Sequence, residues 1–371
     1  MARNRVIYQS EALYVGTDAS LLAAANNNQI SRTQSANFSY TINRQDINQF
    51  GELARIDSVI LDPPTVSTDF SYYLTDGFNE LALGFYVQTG VNPTTAQFAS
   101  GHLIGSSGRN VYIVTGPEGQ DLNGAGALAS DDKVIGIGNC YLSDYSLDLS
   151  VGSIPTVSVT MEGANVRADS AADSILNPAI DQAAGTAMEG TVVLPNPTSG
   201  TLSQVSALRP GDVTVSLVNF EGNTIVDLAD GDDLDAAHVQ SVSLNVPLSR
   251  SPLQRLGSRF PYAREVDFPV DITLNVSALV NETTAFQLAD KLQQDFNSAT
   301  ITIKKPDGSG ATGVIYTLSG AKVDSESFSS SIGSNQTVDL TISAQVGGIN
   351  DINAGLFMSG SNTGQRVGFN A

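Results

Sequence analysis

The chain has 371 residues, enough for two average domains and a sizeable buried core. Its 38 acidic residues against 18 basic ones give a net charge of −20, which excludes tight electrostatic binding to nucleic-acid phosphates but leaves DNA free to slide past. One cysteine, Cys140, excludes an internal disulfide framework and a cysteine-based zinc cluster, and the absence of tryptophan argues against base-stacking platforms.

Read from the N-terminus, "MARNRVIYQSEALYVG" (1–16) has no apolar run of signal-peptide length. No stretch reaches the ~18 apolar residues that span a bilayer. The expectation is a soluble protein, made and assembled in cytoplasm, without membrane contact. "NFSYTINR" (37–44) alternates apolar and polar residues, the period of a half-buried strand. A turn segment follows, carrying Arg44 and Gly51 and closing at Pro63. "TVSTDFSYYL" (65–74) alternates again, and "TDGFNELALGF" (75–85) reads as a short helix. Residues 90–133, rich in Gly, Ser and Asn, read as a loop insertion, and "YSLDLSVGSIPTVSVTMEG" (145–163) as a hairpin around a Gly-Ser turn.

The chain then repeats itself. Shifted by 206 positions, Arg44, Gly51, Pro63 and Ser71 fall on Arg250, Gly257, Pro269 and Ser277. The apolar residues Phe38, Tyr40 and Ile42 fall on Leu244, Val246 and Leu248. Shifted by 181, the hairpin at 146–163 falls on "SFSSSIGSNQTVDLTISA" (327–344), with seven identities from Ser146/Ser327 to Thr160/Thr341. A period this long is no solenoid repeat. It predicts a mainly β (α+β) protein of two tandem copies, each a β-sandwich or half-barrel with one flanking helix. Copy one spans 1–168, an acidic connector 169–204, copy two 205–349 and a C-terminal extension 350–371. In copy two "NETTAFQLADKLQQDF" (281–296) reads as the helix. From Asp169 to Asp235 eleven acids face one base, Arg209, so the connector region concentrates the negative charge.

Chemistry-bearing constellations are weak. His102 and His238 have no ligand spacing and read as surface residues. "DLADGDDLDAAH" (227–238) lacks the oxygen ligands a calcium loop needs and reads as a solvated loop. Cys140 falls on Ala321 and reads as a small strand residue. Arg250, Arg255, Arg259 and Arg264 form a basic cluster, either a solvated face or a docking edge for an acidic neighbour. Arg44, Gly51, Pro63, Arg250, Gly257 and Pro269 recur and are therefore expected to be structural or inter-subunit residues. No cofactor or metal is expected.

The order of parts, "RVIYQSEALYVG" (5–16), then Arg44, Ile47 and Phe50-Gly51, then Pro63 and "SYYLTDG" (71–77), then a helix and a closing hairpin, resembles the tail tube proteins of long-tailed bacteriophages. The likeness covers residues 1–165 and recurs more weakly over 240–346. It implies a structural virion protein that lends strands to a β-barrel ring; rings stack into the conduit through which the genome leaves. A two-domain chain would then form a homotrimer, a pseudo-sixfold ring, with other tail proteins as further partners and DNA passing without specific binding. Acids of the matched hairpins, Asp144, Asp148, Glu162, Asp324, Glu326 and Asp339, are the expected lumen-facing residues. The C-terminal extension reads as an inter-ring arm or a frayed end. The alternatives are another ring- or shell-forming virion component (tail terminator, baseplate or capsid protein) and a glycan-active enzyme. The last would need paired carboxylates, and Asp46, Asp57, Asp62 and Asp69 fall on Pro252, Ala263, Phe268 and Asn275, so no acid pair recurs.

Overall fold

The computed structural model describes residues 11–17, 28–89, 108–117, 121–122, 128, 131–169, 175–197, 207–208, 213–218, 238–279, 297–305, 312–331, 333, 335–348, 351 and 353–360. Of these residues 62% are strand and 2% helix, so the fold is mainly β and built on large antiparallel sheets. Among the described residues no helix is long and apolar enough to cross a membrane.

In chain order the first copy supplies β1 (Glu11–Gly16), β2 (Thr33–Thr41), β3 (Arg44–Ile47), β4 (Asp57–Ile60), β5 (Thr65–Tyr73), helix α1 (Phe78–Leu83), β6 (Val87–Thr89), β7 (Arg109–Thr115), β8 (Lys133–Ser150), β9 (Thr156–Gly163) and β10 (Asn165–Asp169). Four short strands follow: β11 (Ile175–Leu176), β12 (Ile180–Asp181), β13 (Thr186–Ala187) and β14 (Thr191–Val192). The second copy supplies β15 (Val213–Val218), β16 (His238–Pro247), β17 (Arg250–Leu253), β18 (Ala263–Val266), β19 (Asp271–Leu279), β20 (Asn297–Lys304), β21 (Thr312–Ser329) and β22 (Thr337–Gln345), and β23 (Gly355–Gly360) ends the described chain.

The pairing repeats as the sequence does. β2–β5–β9–β8 in copy one matches β16–β19–β22–β21 in copy two. The register recurs residue by residue at the offsets of 206 and 181. Phe38 opposite Thr68 becomes Leu244 opposite Leu274, and Tyr145 opposite Val159 becomes Glu326 opposite Leu340. Even the irregularities recur: register breaks bracket Gln34 and Gln240, and Ser143 and Asp324. A bulge kept at the same step of two ladders is a built feature of the sheet.

Each copy has a long strand of 18 residues, β8 or β21, that belongs to two sheets. Its C-terminal half joins the sheet above; its N-terminal half pairs with β7, which pairs in turn with β1, or with β20, which pairs in turn with β15. Apolar faces of these sheets meet in a core that includes Phe70, Tyr145, Leu147, Leu244, Leu274, Tyr316 and Leu340. Alternation is the cause: β5 buries Val66, Thr68, Phe70 and Tyr72, and β19 buries Ile272, Leu274, Val276 and Ala278, while their intervening residues face away.

Three expectations change. The insertion at 90–133 is not all loop: β7 lies within it and has its counterpart in β20. The acidic connector is not a bare tether. Ile175, Val192 and Leu194 bury against Tyr14, Tyr112 and Val134 in a second core on the outer side of the β1–β7–β8 sheet. Asn139, with φ of 53°, exchanges both side-chain hydrogen bonds with the Ile180 backbone, and its own N–H donates to Asn110 Oδ1. Gly138 is required there, because a Cβ would overlap the Pro178 carbonyl. The C-terminal extension contains β23, wholly buried, which pairs with β21 of copy two and in parallel with β6 of copy one, stitching the copies together. The single described helix, α1, lies in copy one, and the helix expected at 281–296 lies outside the described residues.

Candidate functional site

The feature that organises the surface is a join between the copies. β16 of copy two pairs antiparallel with the C-terminal half of β8 in copy one, Leu244 opposite Leu147 and Val246 opposite Tyr145. Leu248 N–H donates to Ser143 O and Val151 N–H to Gln240 O at the two ends. The result is one sheet of eight strands, in the order β21–β22–β19–β16–β8–β9–β5–β2. Among the described residues, β2 and the C-terminal half of β21 have no strand paired on their outer sides.

Those two edges do not look like edges. Edge strands are ordinarily blunted by charge, proline or shortness. β2 is nine residues long and carries Phe38 and Tyr40 on its apolar face, 36% and 62% exposed. β21 carries Phe328 on the same side as buried Val338 and Leu340, at 47% exposed. Their counterparts within the chain, Leu244 and Leu147, are 1% and 0% exposed. The alternation in "NFSYTINR" thus does make a strand, but one whose apolar side is half uncovered.

The face opposite the core is polar across all eight strands. Cross-strand registers place Asp69, Asp144, Asp148, Glu162, Asp271 and Asp339 on it, among Ser, Thr and Asn residues. Ser243, Asn275 and Thr341 form a hydrogen-bonded ladder across three strands (3.4 and 3.1 Å). Partial burial raises the Asp144 carboxyl above its ordinary range. Of the expected lumen-facing acids, Asp144, Asp148, Glu162 and Asp339 share this face. Glu326 does not: it sits opposite Leu340 with core-side parity, and Asp324 lies at a register break. Asp69 and Asp271 are members that the hairpin comparison missed, because they lie on β5 and β19 rather than in the hairpins.

The recurring residues sit at hairpins that rise from the join. Gly51 and Gly257 both adopt left-handed φ, +94° and +86°, at the turns of β3–β4 and β17–β18. Pro63 and Pro269 precede β5 and β19, and the Phe268–Pro269 bond is cis. Arg250 lies over the Tyr141 ring, 5.1 Å from its centroid, and donates to Arg264 O at 3.1 Å; burial lowers its pKa. Arg264 is buried and pairs with Glu162 of β9 at 2.9 Å. Arg255 donates to Ala183 O in the connector. Of the basic cluster, Arg264 thus docks on an acid of copy one, Arg250 on the Tyr141 ring of copy one, and Arg255 on the connector. The twin hairpin β3–β4 is exposed along almost its whole length, Arg44 included, with Arg55 and Asp46 paired only to each other.

Beneath the sheet lies a buried polar network between the copies. Tyr72 Oη donates to Glu80 Oε1 at 2.8 Å, Tyr145 Oη donates to the same oxygen at 3.4 Å, and Tyr145 and Tyr316 hydroxyls meet at 2.9 Å. Burial pushes the Glu80 carboxyl up to about 7, against the lowering pull of the Tyr72 hydroxyl. Its second oxygen has no hydrogen-bond partner among the described residues, which further disfavours the anion. All three tyrosine hydroxyls are held well above their ordinary pKa by burial. Glu80 and Tyr316 are bridged through Tyr145, so the network spans the two copies.

Other titratable residues offer little chemistry. Cys140 is buried and free, its thiol pKa raised by burial. His238 begins β16 and His102 lies outside the described residues, as does nearly all of the acidic run at 227–238. Among the described residues no group of three His, Cys, Asp or Glu side chains could hold a metal ion. No protein-family model and no curated protein matches the chain.

Proposed function

We propose that the protein is a structural, self-assembling ring subunit, the tube protein of a long-tailed bacteriophage, and that three two-domain chains close a pseudo-sixfold ring that stacks into a DNA conduit. The observation that carries this reading is the join of β16 to β8. It splices two equivalent four-stranded sheets into one and leaves at its ends the same two kinds of strand, β2 and the C-terminal half of β21, with no strand on their outer sides among the described residues. A chain whose left and right edges repeat the two sides of its own internal join is built for head-to-tail closure. Closure removes sheet edges altogether.

The polar face supports a conduit. It presents hydroxyls, amides and six acids, a surface that repels phosphate. In such a ring the apolar face lies against the second sheet of each copy, so the polar face is the one left to line the lumen. Electron microscopy of the purified protein viewed along the particle axis tests the proposal. Hollow rings with threefold, near-sixfold symmetry are expected; a monodisperse monomer at every salt and protein concentration would overturn it.

A further inference from the structure

From the internal join we infer the residue-level register of the contact between chains: β2 of one copy of the protein pairs antiparallel with the C-terminal half of β21 in a second copy, Phe38 opposite Phe328 and Asn37 opposite Ser329. This rests on the ring reading and adds which residues meet and how firmly.

The argument uses the chain as its own template. β16 meets β8 with Leu244 opposite Leu147, Ser243 opposite Asp148 and Val246 opposite Tyr145. The pairings on the far sides of these strands recur without slippage in the twin strands, so the same transposition applies to their free sides. Moving β16 back by 206 gives β2, and moving β8 forward by 181 gives β21. Leu244/Leu147 becomes Phe38/Phe328, Ser243/Asp148 becomes Asn37/Ser329, and Val246/Tyr145 becomes Tyr40/Glu326. Two half-exposed phenylalanines thus come together where two leucines are buried inside the chain, as an apolar cross-strand pair should. The Tyr40 hydroxyl comes within reach of the Glu326 carboxylate, a pairing of the same kind as Tyr72 with Glu80. The transposed end bond is Ile42 N–H to Asp324 O, which gives the register break at Asp324 a use.

A one-residue slip would set Phe38 opposite Ser327 or Ser329 of the polar face, so this register is strongly specified. No other occupant satisfies both edges at once, whereas a second copy satisfies each with the other.

The seam between chains is also the weaker of the two joins. Within the chain, Arg264 pairs with Glu162, Arg250 stacks on Tyr141 and Arg255 reaches the connector. Transposed, Arg264 and Glu162 become Ser58 and Ser343, and Arg250 and Tyr141 become Arg44 and Lys322. The ion pair is gone and two cations approach. Rings therefore come apart into whole chains, and the Phe38/Phe328 strand contact carries the seam.

Disulfide trapping tests the register. Leu248/Ser143 and Gln240/Val151 are hydrogen-bonded pairs of the template ladder. Counting inward by twos, Ser243/Asp148 is a non-hydrogen-bonded pair, where Cα atoms lie about 4.5 Å apart and a disulfide fits. The full chain carrying Asn37→Cys and Ser329→Cys, oxidised after assembly, should give a covalent ladder ending at three chains on a non-reducing gel. Asn37→Cys with Ser327→Cys, off by one ladder step, should give at least ~10-fold less. Phe328→Asp should abolish both rings and cross-links while leaving the circular dichroism spectrum and the thermal midpoint of the single chain unchanged. Rings that cross-link through 37/327, or through neither pair, would overturn the register while leaving the ring reading standing. Absence of rings and of cross-links would overturn both.

Discussion

Replacing Glu80 by glutamine isolates the one buried carboxyl that joins the two copies. In the unfolded chain this group titrates near 4.5; in the fold, burial raises it to about 7. Between those values the folded state holds a proton that the unfolded state has lost, so stability falls as pH rises. The contribution is fully present below pH 4.5 and is lost as pH climbs through 7. The shift, 7 less 4.5, corresponds to about 3 kcal/mol at 1.36 kcal/mol per unit. Glutamine is a neutral near-isostere that still accepts from Tyr72. Urea unfolding of Phe328→Asp and of the Glu80→Gln, Phe328→Asp double variant, from pH 4 to pH 9, keeps assembly out of the measurement. The glutamine variant should gain about 3 kcal/mol on its parent between pH 4 and pH 9, with most of the change above pH 5. Two stability curves that stay parallel across this range would refute the account of Glu80 as a proton-holding core residue.

Three further outcomes follow from the geometry. Arg264→Met should destabilise the chain by about 1–2 kcal/mol in urea titrations, a modest loss because Glu162 remains 43% exposed and hydrated when its partner is removed. Gly138→Ala should cost about 1–3 kcal/mol through overlap with Pro178, whereas Gly152→Ala, with open space around it, should cost only the ~1 kcal/mol of a left-handed φ; differential scanning calorimetry separates them. Replacing Asp69, Asp148, Asp271 and Asp339 together by lysine should convert assembled particles that do not retain labelled single-stranded DNA into ones that do, with retention falling steeply with added salt in a filter-binding assay.

How much of this was legible in the sequence depends on what each signal reports. The two offsets, 206 and 181, were readable, and they locate pairings and bulges to the residue, because register is set by alternation and alternation is in the letters. Which face of a strand turns to the core was equally readable on β5 and β19. Glu326 was named because the hairpin comparison gathered acids without regard to parity, and its place opposite Leu340 puts it on the core side of β21. The buried network was not legible. Nothing in "TDGFNELALGF" marks Glu80 as buried, since its partner Tyr145 lies 65 positions away and that residue's partner Tyr316 lies 236 positions from Glu80, in the other copy. The connector misled through composition: Asp181 and Glu189 face water, while Ile175, Val192 and Leu194, spaced without helical or strand period, supply its buried side.

The same alternation that predicts a strand does not say who covers it. Phe38 and Tyr40 read as half-buried residues, and within the isolated chain that reading fails, for both are substantially exposed on an unpaired edge. Leu244 and Val246, at the same step of the other copy, are buried by β8. One sequence pattern thus has two outcomes inside one molecule, and the difference is whether the neighbouring strand belongs to the same chain. A misfit of that kind is informative when the twin site is satisfied, because the twin identifies what is missing: a strand with the register of β8, its Leu147 position filled by a large apolar residue. Phe328 at the opposite edge meets that description, and it is itself left uncovered for want of a strand like β2. Each exposed aromatic edge is therefore the other's missing neighbour, which is how duplication of a wedge becomes an instruction for closing a ring.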